Sequence, residues 1–396
     1  MTEQQNDPAS DGSGVNTIKH KAFGDIIFHG RAREIIGLVF RNFVLNIFTI
    51  GFYRFWARTK VRRYLWENMY IMGSPLEYTG TGRELFLGFL MIIFVIFLPY
   101  AVLNGFLDGM GYLQDTSTSF WISLGTGAIF VYLIGVASYR ARRYRLTRTR
   151  WRGIRAGQTG SSWKYGLWYI LYTYLTAILG LIMPWKNMHL WRLRTKNTFV
   201  GNRYFVFDPD NQARKCLVGL YKNFTVFWLI LTTSVTVPVI AFWYLYQTAS
   251  NRYPGLTSEE AGSIAGSNIG SMFDKDVYGY ILLTIWVILL LAAPVALAWY
   301  KLHETRALMQ LTTFEGLRLS FRAGLFKFLG MYVGNLVITI CTLGFGTAFT
   351  QVRFARFVGR HTDINGELDL ATIMQSDDDD ISNGEGLADA FDMGAV

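Results

Sequence analysis

Catalytic and metal-binding signals are what this sequence has least of. Only two cysteines occur in 396 residues, Cys216 and Cys341, far apart along the chain. That spacing points to neither a disulfide framework nor a thiolate metal site. The five histidines (His20, His29, His189, His303, His361) are scattered, and none pairs at a metal-ligand spacing such as H-x-x-x-H. There is no G-x-S-x-G, no phosphate loop and no G-x-G-x-x-G in strand–helix context, and Gly80-Thr81-Gly82 is too short to count. His303-Glu304 and His361 with Asp363 read as isolated, solvated pairs. No catalytic residue, metal or cofactor is therefore expected. Positive charge is missing from one region: residues 361–396 hold ten acids and neither Lys nor Arg.

What is abundant is apolar surface. With 51% hydrophobic and 16% aromatic residues, the chain carries more than a soluble protein of this length normally buries, which places it in a bilayer. Four runs, Leu85–Leu107, Phe120–Ala137, Phe224–Tyr246 and Val277–Trp299, approach the roughly 20 apolar residues that a transmembrane helix needs. Three carry an internal proline, Pro99, Pro238 or Pro294, and neighbouring helices can satisfy the carbonyl each one frees. The opening MTEQQNDPASDGSG lacks the basic-then-apolar start of a cleaved leader and predicts a disordered lead-in.

One pattern recurs. Residues 49–64, TIGFYRFWARTKVRRY, align without a gap with residues 342–357, TLGFGTAFTQVRFARF. A worn third version lies between them, with Pro184-Trp185 where Phe55-Trp56 stands and Arg192 where Arg63 stands. An apolar segment with a few polar residues, an aromatic-and-glycine break and a basic helix make up the unit, so an internal-repeat membrane protein is expected. The fold class is all-α and polytopic, with four firm transmembrane helices and three repeated segments (about 35–52, 166–183 and 328–346) that either re-enter or span, giving up to seven spans. The expected divisions are a lead-in 1–20, repeat segments at 21–84, 156–223 and 319–360, hairpins at 85–155 and 224–318, and an acidic tail 361–396.

Charge bias sets orientation. The stretch after Ala137 (Arg140, Arg142, Arg143, Arg145, Arg148, Arg150, Arg152, Arg155) is cytoplasmic by the positive-inside rule, whereas residues 108–119 contain Asp108 and Asp115 but no Lys or Arg. Crossing by all three repeat segments would put basic loops outside, so re-entrant or interfacial segments compete with a seven-span arrangement. Short β-like pieces, FGDIIFHG, GSPLEYTGTG and VGNRYFVFD, predict small cytoplasmic caps. In the outer loop, Thr257 and Glu260 form a capping box, with Gly262, Gly266 and Gly270 following on one face; a close-packed helix and a flexible loop both fit.

Two constellations stand out. Asn42, Asn46 and Thr49 fall on one helical face, as do Asn335, Thr339 and Thr342, and Tyr169, Thr173 and Thr176 make a third stripe. They could line one polar path, or they could be hydrogen-bond glue between helices. Trp56 with Arg63, Trp185 with Arg192, and Arg356 form aromatic-flanked basic positions suited to anionic lipid headgroups, or serve only as topology determinants. Before residue 361 the chain has 38 basic and 18 acidic side chains, a net +20, which favours anionic lipid as partner over nucleic acid. The acidic tail reads as a solvated cytoplasmic end or a binding arm.

The long motif TIGFYRFWARTKVRRY, the downstream SPLEYTGTGRELFLG and the run RYRLTRTRWRGIR resemble the YjgN family of bacterial inner-membrane proteins, over roughly residues 23–360. The resemblance implies several spans in a bacterial inner membrane and supplies no substrate, catalytic residue or cofactor. The last version of the motif departs from the first: Ala348-Phe349 replaces Phe55-Trp56, and Gly346 replaces Tyr53. A small-solute transporter or pore is the leading functional expectation, and a lipid-interacting or envelope-organising protein without catalysis is the alternative.

Overall fold

The structure, a computed structural model, describes residues 20–21, 24–252, 257, 259–260, 262–264, 277–368 and 373–374. The lead-in before His20, Gly266 and Gly270 of the outer loop, and the tail acids from Asp377 onward lie outside the described residues. A short strand β1 (His20–Lys21) precedes β2 (Gly24–Phe28), from which α1 (Ala32–Phe48) leaves and α2 (Arg54–Glu67) returns to β3 (Met69–Ile71). From β4 (Ser74–Tyr78) the chain runs out along α3 (Gly82–Ile92), a π-helical turn Ile93–Phe97 and α4 (Leu98–Gly109), and back along α5 (Thr116–Thr147) to β5 (Thr149–Trp151). Next, β6 (Ile154–Gln158) feeds α6 (Ser162–Leu179), and α7 (Met183–Lys196) returns to β7 (Thr198–Val200). After β8 (Arg203–Tyr204) and β9 (Val206–Phe207) come two long helices, α8 (Ala213–Arg252) and α9 (Val277–Gln310), and then β10 (Thr312–Phe314). Finally, β11 (Leu317–Phe321) opens α10 (Leu325–Cys341), and α11 (Thr347–His361) leads to β12 (Thr362–Asn365) and β13 (Glu367–Leu368).

Among the described residues, four helices or helical runs are long and apolar enough to cross a membrane: Gly82–Gly109, Thr116–Thr147, Ala213–Ile240 and Thr284–Gln310. Their outward faces carry side chains such as Val102, Ile129, Val239 and Leu291, each more than half exposed, as a lipid-facing surface requires. The π turn has a local cause. Pro99 has no N–H to give to the carbonyl one turn earlier, and the ladder widens so that the Leu98 N–H reaches Ile93 O. Side chains cap the helix starts where the chain leaves a strand or loop: Thr81 accepts from Glu84 N, Asp115 from Thr118 N and Ser161 from Lys164 N. Between α8 and α9 the Thr257–Glu260 capping bonds are present, Glu260 N to Thr257 Oγ1 at 3.3 Å and Thr257 N to Glu260 Oε2 at 2.8 Å.

The all-α expectation needs correction. The β-like pieces do not remain separate caps; they join in one eleven-stranded sheet, in the order β8-β7-β6-β5-β4-β3-β2-β12-β11-β10-β9. Three of its hairpins turn on two residues with positive φ, Met72-Gly73, Arg152-Gly153 and Glu315-Gly316, the conformation that suits the twist of tight hairpins. β2 pairs with β12, so the beginning and the end of the sheet meet. The two edge strands, β8 and β9, are separated only by Phe205, whose N–H bonds to Thr198 O at 2.9 Å. The sheet is therefore a ring closed through one residue, without a free edge.

Every helical pair starts and ends on this ring. Side chains bind neighbouring pairs together at its perimeter: Trp66 Nε1 donates to Thr149 Oγ1 at 2.9 Å, and Trp191 Nε1 donates to Thr312 Oγ1 at 3.0 Å. A core of Trp151, Phe314, Leu317, Ile364 and Ile373 fills part of the ring interior, and Ile35, Val61, Leu65, Val352 and Ala355 pack the first helical pair against the last.

Candidate functional site

The β2–β12 pairing brings α1 and α2 against α10 and α11, although some 290 residues of sequence separate them. Between the two pairs lies a cavity of about 840 Å³, within the range of roughly 300–1,000 Å³ typical of ligand pockets. Both pairs turn alike: Ile50-Gly51 and Leu343-Gly344 have φ of 49° and 86° in each case. The polar lining comes from matching places in the two pairs. Asn42 faces the cavity with Asn335, Asn46 with Thr339, Arg54 with Thr347, and Arg58 with Gln351.

Three of these amides are left incomplete by the protein. The side-chain carbonyl oxygens of Asn42, Asn46 and Asn335 are buried and accept no hydrogen bond among the described residues. Asn335 spends its amide N–H on the Met331 sulfur at 3.3 Å, a weak acceptor. Buried polar atoms are almost always paired, so three unpaired acceptors on residues lining one cavity mark it as a candidate site. Cationic character comes from Arg54 and Arg58 on α2. The Arg54 guanidinium lies 5.0 Å and 4.9 Å from the Phe55 and Phe89 ring centroids, which fix it without neutralising it. The cavity thus offers acceptors on α1 and α10 and positive charge on α2.

Thr49 and Thr342 end the same stripes but do not line the cavity. Each accepts from a backbone N–H four residues on, Tyr53 N at 2.9 Å and Gly346 N at 2.8 Å, and so caps the start of the return helix. The stripe Tyr169, Thr173 and Thr176 is placed elsewhere, on α6 facing α7. There Lys186 Nζ donates to Thr173 Oγ1 at 3.2 Å and sits 5.4 Å from the Tyr169 ring, while Thr176 bonds back to Tyr172 O. Two of the three stripes are brought together and the third stands apart.

The basic positions also diverge. Arg63 and Arg192 are exposed on their return helices, whereas Arg356 donates to Gly30 O at 2.8 Å. Trp56 stacks near Tyr53 and Phe86, and half-exposed Trp185 donates to Tyr172 OH at 3.4 Å.

Comparison with known proteins agrees with this membrane architecture. The profile of a family described as "Bacterial protein of unknown function (DUF898)" matches residues 24–390. The chain is similar to the inner membrane protein YjgN of Salmonella typhimurium, 29% identical over 87 residues, 22% of each chain. It is also similar to YjgN of Escherichia coli O157:H7, 28% identical over 156 residues, covering 39% of this chain and 35% of that one. The K12 protein is 35% identical over 71 residues, 18% of each. The chain belongs to the YjgN family. The matched stretches span about a third or less of those relatives' own length. No solved structure matches. The four apolar helices and the names of the YjgN relatives agree on the inner membrane as its location.

Sequence reasoning missed several residues in this YjgN-family chain. Arg54, Thr347 and Gln351 of the cavity are aligned positions of the recurring motif, but they sit on the return helices, past the polar stripes, while Arg58 stands out in the sequence only as part of the basic helix. Glu304 was read as a solvated neighbour of His303. In the structure it is 6% exposed, and its carboxylate accepts from Asn187 Nδ2 at 2.5 Å, Tyr300 OH at 2.7 Å and Lys301 Nζ at 2.7 Å. His303 does lie outward, with Nδ1 2.9 Å from Trp299 O. No local periodicity signals Glu304, because Asn187 arrives from a helix more than 100 residues away.

Proposed function

We propose that this chain is an inner-membrane transporter or pore whose solute passes through the cavity between the first and last helical pairs. The single observation that carries the reading is that Asn42, Asn46 and Asn335, whose buried carbonyl oxygens have no partner among the described residues, all line that cavity. A solute with N–H or O–H donors would satisfy them, and Arg54 and Arg58 favour one that also carries negative charge.

In this reading the recurring motif is an internal repeat, and its three short helical pairs enter the bilayer and turn back on the ring's side. Helices of 14 to 18 residues that leave and rejoin one sheet suit re-entry better than a crossing, since spanning takes about 20 residues. The arginine-rich stretches beside the strands support a cytoplasmic ring in this reading, and with it a cytoplasmic acidic tail. The divisions that alternate short pairs with long ones then become separate working parts, the short pairs forming the solute path and the long ones anchoring it. No enzymatic step is part of this reading.

The test is osmotic. Proteoliposomes are mixed rapidly with glycerol, urea, glycine or potassium acetate, and re-swelling is followed by light scattering. The expected result is faster entry of at least one solute, returning to the protein-free rate when Asn42, Asn46 and Asn335 are replaced together by Leu. Entry unchanged in the triple variant, or no acceleration by the wild-type protein for any of the four, refutes the proposal.

A second reading, binding of anionic phospholipid, draws on the exposure of Arg63 and Arg192 on equivalent return helices. Arg356 does not join them, because it is committed to Gly30 O.

A further inference from the structure

The inside of the closed sheet holds a second cavity, of about 380 Å³. Ile26, Ile71, Leu76, Val200, Phe314 and Leu319 give it an apolar wall drawn from strands around the ring. Polarity is confined to the side where helices run into strands. Arg142 enters there from α5, and Thr195, Thr198 and Thr312 sit at the junctions of α7 with β7 and of α9 with β10.

Arg142 is the anomaly. Its Nη2 donates to Thr198 Oγ1 at 3.4 Å and its guanidinium lies 5.9 Å from the Trp191 ring centroid. Among the described residues no carboxylate pairs with it, and the like charges of Arg194 and Arg145 bear on it. A guanidinium beside an apolar chamber, with cations for neighbours, is a poor arrangement without an anion. The far rim of the chamber, formed by hairpin tips, is covered by the chain's own tail. Ile373 is 6% exposed within the cluster of Trp151, Phe314, Leu317 and Ile364. Among the described residues, two bonds hold its neighbour Met374 to the hairpin tip: Asn202 N donates to Met374 O at 3.0 Å, and Met374 N donates to Asn202 Oδ1 at 3.2 Å. Gly201 admits this contact, because a Cβ there would lie 2.1 Å from Met374 O.

We propose that the ring interior binds a single aliphatic chain ending in an anion. The hydrocarbon lies among the strands, the anion meets Arg142, and Ile373 is the lid over the entrance. A fatty acid and an alkyl phosphate share that chemistry. The proposal concerns a chamber separate from the solute cavity and stands whether or not that cavity conducts.

The experiment uses the full-length protein in nanodiscs of zwitterionic phospholipid, titrated calorimetrically with sodium decanoate, decyl phosphate and 1-decanol. The expected result is one saturable site for at least one of the anions, with at least tenfold weaker binding of decanol. Binding of decanoate alone identifies a carboxylate ligand, and binding of decyl phosphate alone identifies a phosphate monoester. Ala156→Phe, which fills the chamber from β6, should abolish the saturable site. Arg142→Gln should bring the anion to within about threefold of decanol, and Ile373→Ala should speed release of the bound anion. Absence of saturable binding to the wild-type protein overturns the proposal, as does anion binding that survives Ala156→Phe. Should Ala156→Phe fail to fold, Arg142→Gln decides alone: wild-type preference for the anion in that variant overturns it.

Discussion

Replacing Glu304 should loosen the junction of α7 and α9 more than any single apolar truncation on the lipid face. In Glu304→Leu the Tyr300 hydroxyl, whose residue is fully buried, loses its acceptor, and the Asn187 amide loses another. A buried polar group stripped of its partner costs about 1–3 kcal/mol. Lys301 adds little, since its side chain is 38% exposed and water can take over. The total expected loss is about 3–5 kcal/mol, the range for breaking a buried charge network by removing one member. Glu304→Gln keeps one acceptor oxygen but turns an amide donor toward donors, and should lose about 1–3 kcal/mol. The assay is tryptophan-fluorescence unfolding in one detergent at fixed concentration, with Asn187→Leu and the double variant completing a cycle. The double variant should lose less than the sum of the singles by about 1–3 kcal/mol, as expected of side chains in direct contact. Equal stability of wild type and Glu304→Leu, or strict additivity in the cycle, would refute the account of Glu304 as the hub of this network.

Two further outcomes follow from the surface. If Arg63 and Arg192 hold anionic headgroups, the double variant Arg63→Gln, Arg192→Gln should co-purify with less phosphatidylglycerol per protein than wild type, while Arg356→Gln should mainly lower stability through Gly30; equal lipid in the double variant and wild type sinks the lipid reading. At the start of α5, the Thr118 hydroxyl and N–H hold the Asp115 carboxyl below the usual carboxylate range. Its contribution is present above the unfolded value of about 3.9 and is lost as pH falls through the folded one. The unfolding midpoint of wild type should therefore drop relative to Asp115→Asn below about pH 4, and parallel pH profiles for the two proteins would count against the cap.

The parts legible in the sequence were those written in local periodicity. Four apolar runs and the basic return helices declared themselves by length and charge, and the long motifs carried the family. The strands were visible one by one, as aromatic–polar alternation beside glycine. Their union was not, because β2–β12 and β9–β10 pairings join residues more than 100 positions apart and nothing local encodes a partner. The candidate cavity was half legible. Asn42, Asn46, Asn335 and Thr339 share its wall, as their common face suggested. Thr49 and Thr342 look identical to them by spacing, yet the helix ends there and their hydroxyls go to the turn. The Tyr169 stripe is also a true helical face, but its pair packs against the middle of the chain rather than against the ends. Which face meets which is settled by the order of strands in the ring.

Closure of that ring through Phe205 has a consequence for counting. With the ring on one side of the membrane, as proposed above, a chain that must rejoin it after each excursion crosses an even number of times, however many hydrophobic segments it contains. Duplication or loss of a strand-to-strand excursion changes the number of crossings by two or by none and leaves the orientation of every other segment untouched. Residues 20–21 and 367–368 pair with each other, so those two stretches share one compartment.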